Sequence, residues 1–324
     1  MAHVYATQRI PGDCFSLIAD AGHTLAIHTD DNIMSPAEII ENAGHPSVLV
    51  CTLANEIGAE LFDALPSIRM VANYAVGYNN IAVEAATERG IVVTNTPGAL
   101  TEATADLTWS LLLASARHLV KGDWMCRHGE FRGWLPTMLL GREVHGATIG
   151  IAGAGRIGSA VARRAKGFGM RIIYFSRSRK LDLESETGAT QVTLVELFEQ
   201  SDFASIHLPY SKQTHHLING PILAVCKPGM TLINTGRGAV IDEKALIEGL
   251  SKGRPAFAAL DVYEHEPDIP EELKQMPNVL LAPHIGSATE STRARMGEVC
   301  AANVLAFLSG NRPPNPVNPA VFGG

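Results

Sequence analysis

The sequence lacks the features that would mark a nucleic-acid-binding, metal-binding or secreted protein. Its 26 Lys+Arg against 33 Asp+Glu leave a formal net charge of −7, whereas nucleic acid or an anionic membrane attracts a basic surface. The five cysteines are scattered and form no Cys-x-x-Cys pair, which argues against a disulfide framework or a zinc motif. We therefore expect reduced thiols, no metal and no nucleic-acid partner.

Long apolar runs and a leader segment are also lacking. The most apolar helical stretch, ADLTWSLLLASARHLV, is too short for a bilayer and contains Arg117 and His118. The first residues, MAHVYATQRIPGDC, lack the charged and then apolar segments of a signal peptide. Both observations predict a cytoplasmic protein without a membrane partner.

What the sequence does contain is strand–helix alternation, in two series. From residue 25 to 96, segments such as SVLVCT and IVVTNT alternate with helical patterns, and a second series runs from ATIGIAGAGRIG to NVLLAPH. Such alternation predicts α/β domains whose parallel sheets are covered on both faces. A chain of 324 residues is long enough for two of them.

The segments between and after the two series suggest the domain boundaries. Residues 101–120 predict one long helix, with Thr101 as its N-cap and Glu102 in its first turn. The helix and Pro-rich tail after His284 are too short for a third domain, so we expect them to return to the first. This predicts a discontinuous domain, 1–100 plus 285–324, and a second domain, 101–284.

A glycine-rich turn opens the second series. It follows the strand TIGIA and precedes the helix RIGSAVARRAKGFG. Glycines at this spacing allow a tight turn and bring a pyrophosphate to the helix N-terminus, although a plain packing turn is the alternative. The predicted dinucleotide-binding residues of this turn are Gly153, Gly155, Arg156, Ile157 and Gly158.

The end of the following strand lacks the Asp or Glu that an NAD-preferring site uses to bind the ribose hydroxyls. It reads YFSRSRK instead. Ser176, Arg177, Ser178 and Arg179 could bind a 2′-phosphate, so we expect NADPH to be preferred and NADH to be possible. A solvated basic turn would account for the same residues.

Three polar residues follow late strands of the second series, namely Arg237, Glu266 and His284. Ligands of open α/β sheets bind at these carboxyl ends. Arg237 could hold a substrate carboxylate through two parallel bonds, and His284 could pass a proton to the substrate oxygen while Glu266 orients the imidazole and favours its protonated form. Taken singly, a loop salt bridge, a cap and a core histidine would explain them.

The motifs together resemble the D-isomer-specific 2-hydroxyacid dehydrogenases over nearly the whole chain. The segments GIAGAGRIG, HLPYSKQTHHLI, LINTGRGAVID, ALDVYEHEP and LLAPHIGSAT occur in the family's order. Within the family, GEFRGWLPTMLLGREVHGATIGI and FSRSRK look most like the glyoxylate/hydroxypyruvate reductase branch. Gly236 departs from the Ser or Ala that is commoner there, and we expect from it only a looser placement of Arg237.

The resemblance implies two Rossmann-like or flavodoxin-like domains, with the active site in the cleft between them. It implies that residues 1–100 plus 285–324 bind substrate and that residues 101–284 bind the dinucleotide. Arg237, Glu266 and His284 would be the catalytic residues, and Asp261 would bond the nicotinamide carboxamide. Val76, Gly77 and Trp134 would join Arg237 in binding substrate. Further cofactor contacts would come from Thr104, Leu208, Pro209, Thr214, Thr235, Gly236, His284 and Gly286.

The implied activity is reduction of a small 2-oxo acid, glyoxylate or hydroxypyruvate, to the D-2-hydroxy acid. A D-lactate- or phosphoglycerate-type dehydrogenase and a dinucleotide-sensing corepressor-like protein are the alternatives. The resemblance also implies a homodimer built through residues 101–145, with Trp134 reaching the neighbouring active site. Anchoring of a loop to its own domain would explain Trp124 and Trp134 equally well.

Overall fold

The computed structural model describes residues 1–323, which divide into two compact units. The first comprises 1–100 and the chain from Ser287 onward, and the second comprises Thr101–Gly286. The boundary after the second unit lies two residues beyond the expected one. Ile285 and Gly286 remain with the second unit because their backbone N–H groups donate to the Asp261 carboxylate, at 2.8 and 2.9 Å.

The first unit is built on a five-stranded parallel sheet, in the order β2-β1-β3-β4-β5. Its strands are β1 (His3–Ala6), β2 (Thr24–Ile27), β3 (Val48–Thr52), β4 (Met70–Tyr74) and β5 (Val92–Thr94). Its helices are α1 (Ser16–Asp20), α2 (Pro36–Asn42), α3 (Ala59–Ala64), α4 (Val83–Glu88) and α13 (Glu290–Leu308), with a 3-10 turn at Pro319–Phe322. This strand order is that of flavodoxin-like folds.

The last helix and the tail complete the first unit. Met296, Cys300 and Val304 of α13 are buried in the same core as residues of β1, β3 and β4. Beyond the helix, the Val317 N–H donates to Val93 O at 2.7 Å, and the Asn318 side chain accepts from Val93 N–H at 2.8 Å. The tail therefore satisfies backbone groups at the edge strand β5.

The second unit is built on a seven-stranded parallel sheet, in the order β12-β11-β10-β9-β6-β7-β8. Its strands are β6 (Thr148–Ala152), β7 (Arg171–Phe175), β8 (Thr190–Gln191), β9 (Phe203–Ile206), β10 (Thr231–Asn234), β11 (Phe257–Leu260) and β12 (Val279–Leu281). Its helices are α5 (Thr101–Ala116), α6 (Leu119–Arg127), α7 (Arg156–Gly167), α8 (Leu181–Thr187), α9 (Leu194–Gln200), α10 (Gly220–Ala224), α11 (Glu243–Ser251) and α12 (Glu271–Gln275), with a 3-10 turn at Gly238–Val240.

Both sheets are parallel and lie between apolar cores on their two faces, which confirms the predicted α/β class. In the second unit the strand order reverses between β6 and β9, as in a Rossmann fold, and ligands bind beside such a reversal. Among the described residues, no helix is both long and apolar enough to cross a membrane.

Two details of the predicted elements were wrong. The helix expected over 101–120 ends at Ala116, and α6 begins at Leu119 after His118, which has a φ of 51°. Thr101 is the first residue of α5 and not its N-cap. The short strands β1 and β8 were not anticipated, because two to four residues carry too little periodicity to stand out.

Candidate active site

The glycine-rich turn lies at the reversal of the strand order. Gly153 has a φ of 101°, and a Cβ there would approach His207 C and O to 2.7 Å. Also at the carboxyl ends of the strands, a Cβ on Gly236 would lie 3.2 Å from Ile206 O and 3.4 Å from Leu208 O. The backbones that follow β6, β9 and β10 therefore pack side by side, and an Ala or Ser at 236 would require its neighbours to shift.

The start of α7 fits a dinucleotide phosphate. Gly155 is the N-cap residue and supplies no side-chain cap, and nothing lies within 4 Å of the position of a Cβ on it. A Cβ on Gly158, in contrast, would collide with Gly153 O and press on Ile151. The turn thus combines tight packing below with open N–H groups above, the arrangement that binds a pyrophosphate. Arg156 is exposed and Ile157 half-buried at this helix start.

The two arginines of the turn after β7 differ in their bonding. Arg179 is bonded to Glu184 through Nε and Nη2, at 2.8 to 3.0 Å, and Glu184 also accepts from Tyr174 Oη at 2.7 Å. Arg177 is exposed and has no polar partner within residues 1–323. Arg179, considered above as a phosphate ligand, is thus occupied, because α8 places Glu184 within its reach.

The serines of this turn and the residues after β9 have local roles. Ser176 O accepts from Gln191 at 2.8 Å, and Ser178 Oγ accepts from Lys180 Nζ at 3.1 Å. Leu208 is buried, and Thr214 Oγ1 donates to Pro209 O at 2.7 Å, which closes the loop that follows β9.

Arg237 is positioned by the residue that ends β10. The buried Asn234 accepts from Gly236 N–H at 3.0 Å and donates to Arg237 O at 3.1 Å, and Arg237 Nη1 donates to Gly236 O at 2.8 Å. Burial lowers the pKa of the Arg237 guanidinium, and the charge of Glu266 opposes that shift. An arginine nevertheless keeps its charge at neutral pH, so this site favours an anionic ligand.

Glu266 and His284 form the expected pair. His284 Nδ1 lies 2.6 Å from Glu266 Oε2, and Glu266 Oε1 accepts from Tyr263 N–H at 3.0 Å. Burial raises the pKa of Glu266, but its bond and charge interaction with His284, the Tyr263 N–H and Arg237 outweigh this, so the pKa is lowered overall. His284 has a φ of 53°, a costly backbone conformation for a non-glycine residue and one that is found at functional sites.

Asp261 holds the strand end that carries His284. Its two oxygens accept the N–H groups of Ile285 and Gly286, and Thr104 Oγ1 donates to Gly286 O at 3.0 Å. Burial raises the pKa of Asp261, against these N–H groups and the charge of His284. Thr235 belongs to the same cluster through a 2.8 Å contact of its hydroxyl with that of Thr108.

Three predicted site residues, Val76, Gly77 and Trp134, make none of the hydrogen bonds described so far. In the first unit, Val76 O and Gly77 O accept from Asn95 and Asn73 at 2.7 and 2.8 Å, while their N–H groups have no acceptor among the described residues. Trp134 lies in the second unit, and 79% of its surface is exposed. Val76, Gly77 and Trp134 as substrate ligands stay predictions.

Sequence reasoning missed Asn234, Tyr263, His216 and Glu264. Asn234 could have been found, since it is the last residue of a buried strand and directly precedes the arginine turn. Tyr263 acts through its backbone N–H, which leaves no side-chain signal. His216 and Glu264 are in contact at 2.6 Å although 48 positions apart, so no local pattern joins them.

Comparison with known proteins agrees with this geometry. The sequence model of the family described as "D-isomer specific 2-hydroxyacid dehydrogenase, NAD binding domain" matches residues 109–286. A glyoxylate reductase of Thermococcus litoralis is 47% identical, over 98% of this chain and 97% of its own length.

Solved structures are similar over the same extent. A protein of Thermus thermophilus has a TM-score of 0.91 at 42% identity and covers 97% of this chain and 99% of its own. An NADPH-dependent glyoxylate/hydroxypyruvate reductase of Sinorhizobium meliloti, solved with NADP and malonate, has a TM-score of 0.86 at 34% identity, covering 98% of this chain and 96% of its own. The protein therefore belongs to the D-isomer-specific 2-hydroxyacid dehydrogenase family, whose members are NAD(P)-dependent enzymes.

Proposed function

We propose that this enzyme reduces a small 2-oxo acid, glyoxylate or hydroxypyruvate, to the D-2-hydroxy acid with NADPH as the preferred reductant. The observation that carries the proposal is the His284–Glu266 contact at 2.6 Å beside Arg237, at the carboxyl ends of the strands of a dinucleotide-binding sheet. The names of the Thermococcus and Sinorhizobium relatives support this substrate class.

Arg237 binds the substrate carboxylate. Burial lowers the pKa of its guanidinium, which nevertheless remains charged. An anionic carboxylate therefore offsets the cost of burying this charge better than a neutral ligand does. The planar fork can make two parallel bonds to such a group, which also orients the adjacent carbonyl. The Val76 and Gly77 N–H groups are further candidates for this carboxylate.

His284 moves the proton. A carboxylate only accepts, so the contact with Glu266 assigns a proton to Nδ1 and leaves Nε2 to donate to the substrate oxygen when the ring is protonated. Because the pKa of Glu266 is lowered, its carboxylate stays ionised at neutral pH and stabilises the charged imidazolium. The bound dinucleotide supplies the hydride to the adjacent carbon.

The chain's own residues also place the dinucleotide. The open N–H groups at Gly155, Arg156 and Ile157 bind its pyrophosphate, and Asp261 bonds the nicotinamide carboxamide with the lone pairs that Ile285 and Gly286 leave. Arg177, with its neighbours Ser176 and Ser178, binds the 2′-phosphate, which is the basis of the NADPH preference. Leu208, Pro209, Thr214, Thr235 and Gly236 line the adjoining wall.

We further propose a cytoplasmic homodimer. Helix α6 has no buried residue, and the segment from Leu119 to Leu140, here called the apolar strip, carries large apolar side chains that are each 49 to 79% exposed. The members of this apolar strip are Leu119, Val120, Trp124, Phe131, Trp134, Leu135 and Leu140. Exposed apolar surface of this extent is typical of a subunit interface.

One experiment tests the reaction. A panel of 2-oxo acids is assayed with NADPH and NADH, using wild type, His284→Ala and Glu266→Gln. We expect turnover of glyoxylate and hydroxypyruvate, a kcat lower by roughly 10²–10⁴-fold in His284→Ala with nearly unchanged cofactor binding, and a shifted pH–rate profile in Glu266→Gln. Cofactor binding without turnover of any 2-oxo acid would support a sensing protein instead.

A further inference from the structure

The loop that carries Glu266 also carries Glu264, which forms a second histidine–carboxylate pair with the distant His216. His216 Nε2 lies 2.6 Å from Glu264 Oε1, the same separation as between His284 and Glu266. The Glu264 side chain is only 13% exposed, and its Oε2 also accepts from Glu243 N–H at 3.4 Å. None of the roles proposed above uses this second pair.

The backbone of His216 is attached to the turn that follows Arg237. Its N–H donates to Ala239 O at 2.9 Å, two residues after Arg237, and Ile218 N–H donates to Val240 O at 3.1 Å. His216 has a φ of 49°, an unfavourable conformation for a non-glycine residue, which is maintained by these bonds and by the contact of its ring with Glu264.

Glu264 is part of the turn that orients the Glu266 side chain. Tyr263 N–H donates to Glu266 Oε1, so residues 263–266 form one closed turn with Glu264 inside it. A Cβ on Gly238 would collide with Tyr263 C and O and with Glu264 N, so this turn packs backbone to backbone on the residue after Arg237. A displacement of Glu264 would therefore displace the Glu266 carboxylate as well.

His215, His216 and Glu264 lie close together, but their geometry does not suit a metal ion. Ligand atoms of His215, His216 and Glu264 lie within 4.8 Å of one another, but the two rings stack at 3.9 Å with planes 21° apart. The lone pairs of imidazole lie in the ring plane, so those of two near-parallel rings point side by side and do not converge on one ion. His215 instead packs its ring against the ring of His216.

We infer that His216 and Glu264 are positioning residues, which link the turn bearing Arg237 to the turn bearing Glu266 and so fix the distance between the carboxylate-binding and proton-transferring groups. The inference rests on the proposed roles of Arg237, Glu266 and His284. Without the link the substrate carbonyl and the His284 ring lose their mutual alignment, and misplacement by about 1 Å can cost up to roughly a hundredfold in rate.

A double-mutant cycle tests this role, with Glu264→Gln, Glu266→Gln and the double variant assayed on glyoxylate. We expect Glu264→Gln to lower kcat roughly tenfold while the dissociation constant of NADPH, measured by fluorescence, stays within about twofold of wild type. On the Glu266→Gln background the same change should cost less than about twofold, because Glu264 acts through Glu266. His216→Gln should reproduce the single effect, and it carries the cycle if Glu264→Gln does not fold.

Asp202→Asn is the matched control. It breaks the Lys227–Asp202 ion pair, whose side chains are 43% and 26% exposed against 35% and 13% for His216 and Glu264. Asp202 precedes β9 and so lies at the amino ends of the parallel strands, whereas Arg237 lies at their carboxyl ends. This variant should therefore keep the wild-type kcat. An unchanged kcat in Glu264→Gln, or losses that multiply in the double variant, would overturn the inference. A wild-type pH–rate profile and kcat in Glu266→Gln would instead overturn the proposed proton relay.

Discussion

At the scale of the residue, Arg237 brings a permanent charge into a partly buried site. Its position depends on Asn234, which bonds both Gly236 and Arg237 through one amide. A lysine could supply the charge but not the planar fork, because its ammonium is a point charge on a flexible stem. The identity of residue 237 should therefore matter for substrate binding in both charge and shape.

We predict that Arg237→Ala loses about 2–5 kcal/mol of transition-state binding, since a desolvated carboxylate is left without its cation. Arg237→Lys should recover only part of this loss. The measurement is kcat/KM for glyoxylate at saturating NADPH, and Arg254→Ala, at an exposed position before β11, is the control that should match wild type. A wild-type kcat/KM in Arg237→Ala would exclude Arg237 as the carboxylate ligand.

At the scale of the element, the turn between β7 and α8 decides how the two arginines are used. The bond between Arg179 and Glu184 is local to this turn and α8, and it leaves Arg177 as the exposed cation without a partner in the described chain. Each charge-assisted contact to a phosphate contributes about 1.5–3 kcal/mol. Preference for NADPH should accordingly depend on Arg177 more than on Arg179.

We predict that Arg177→Ala raises KM for NADPH by about ten- to a hundredfold and spares KM for NADH. Arg179→Ala serves as the matched variant, and its effect on the NADPH/NADH ratio of kcat/KM should be smaller, because Arg179 is already bonded to Glu184. If the unmutated enzyme prefers NADH, both arginines only face solvent.

His207, the half-buried residue that follows β9, should make the free energy of unfolding depend on pH. Burial lowers the pKa of His207 to about 3, its Nε2 contacts Ser205 Oγ at 2.8 Å, and its buried Nδ1 has no partner in the described chain. The unfolded chain takes up a proton near pH 6.5 whereas the folded chain does not until about pH 3. The stabilising contribution of the neutral ring is therefore present above pH 6.5 and is lost as the pH falls toward 3.

We predict that His207→Gln reduces the slope of unfolding free energy against pH by up to about 1.4 kcal/mol per pH unit between pH 6 and 4. Glutamine can keep a polar atom near Ser205 without titrating in this range. Urea denaturation at several pH values gives the slopes, with His145→Gln, an exposed histidine of the same unit, as control. Parallel curves for His207→Gln and wild type would show that the ring is hydrated in the folded state.

At the scale of the whole molecule, the apolar strip from Leu119 to Leu140 contains seven large apolar side chains that are each about half exposed or more. Helix α6 buries no residue against its own chain, and Trp134 is the most exposed of the large side chains in the strip. A second copy of the chain would remove this surface from water and so offset the cost of its exposure.

We predict a dimer in sedimentation experiments at micromolar concentration, and dissociation of that dimer by Leu119→Glu, because a charge would be buried in the interface. Val195→Glu, at an apolar position on α9 that is 43% exposed, should leave the dimer intact. A fully active wild-type monomer under the same conditions would refute the assembly.

The sequence alone was enough to predict the α/β class, the glycine turn and the positions of Arg237, Glu266 and His284 after strands. Each of these rests on local periodicity or on residues adjacent to a predicted strand, which a linear pattern contains. The end of α5 at Ala116 was less accessible, because Arg117 and His118 are compatible with a helix and only the left-handed backbone of His118 interrupts it.

The contacts between distant segments, in contrast, could be identified only in the folded structure. Asp261 bonds Ile285 and Gly286, Asn318 bonds β5 of the first unit across more than two hundred positions, and His216 meets Glu264. These pairs depend on which strands become neighbours, and strand order is set by packing of the whole sheet and not by the residues in contact. For the same reason the proposed catalytic residues could be named from the sequence, whereas the residues that contact them from distant segments could not.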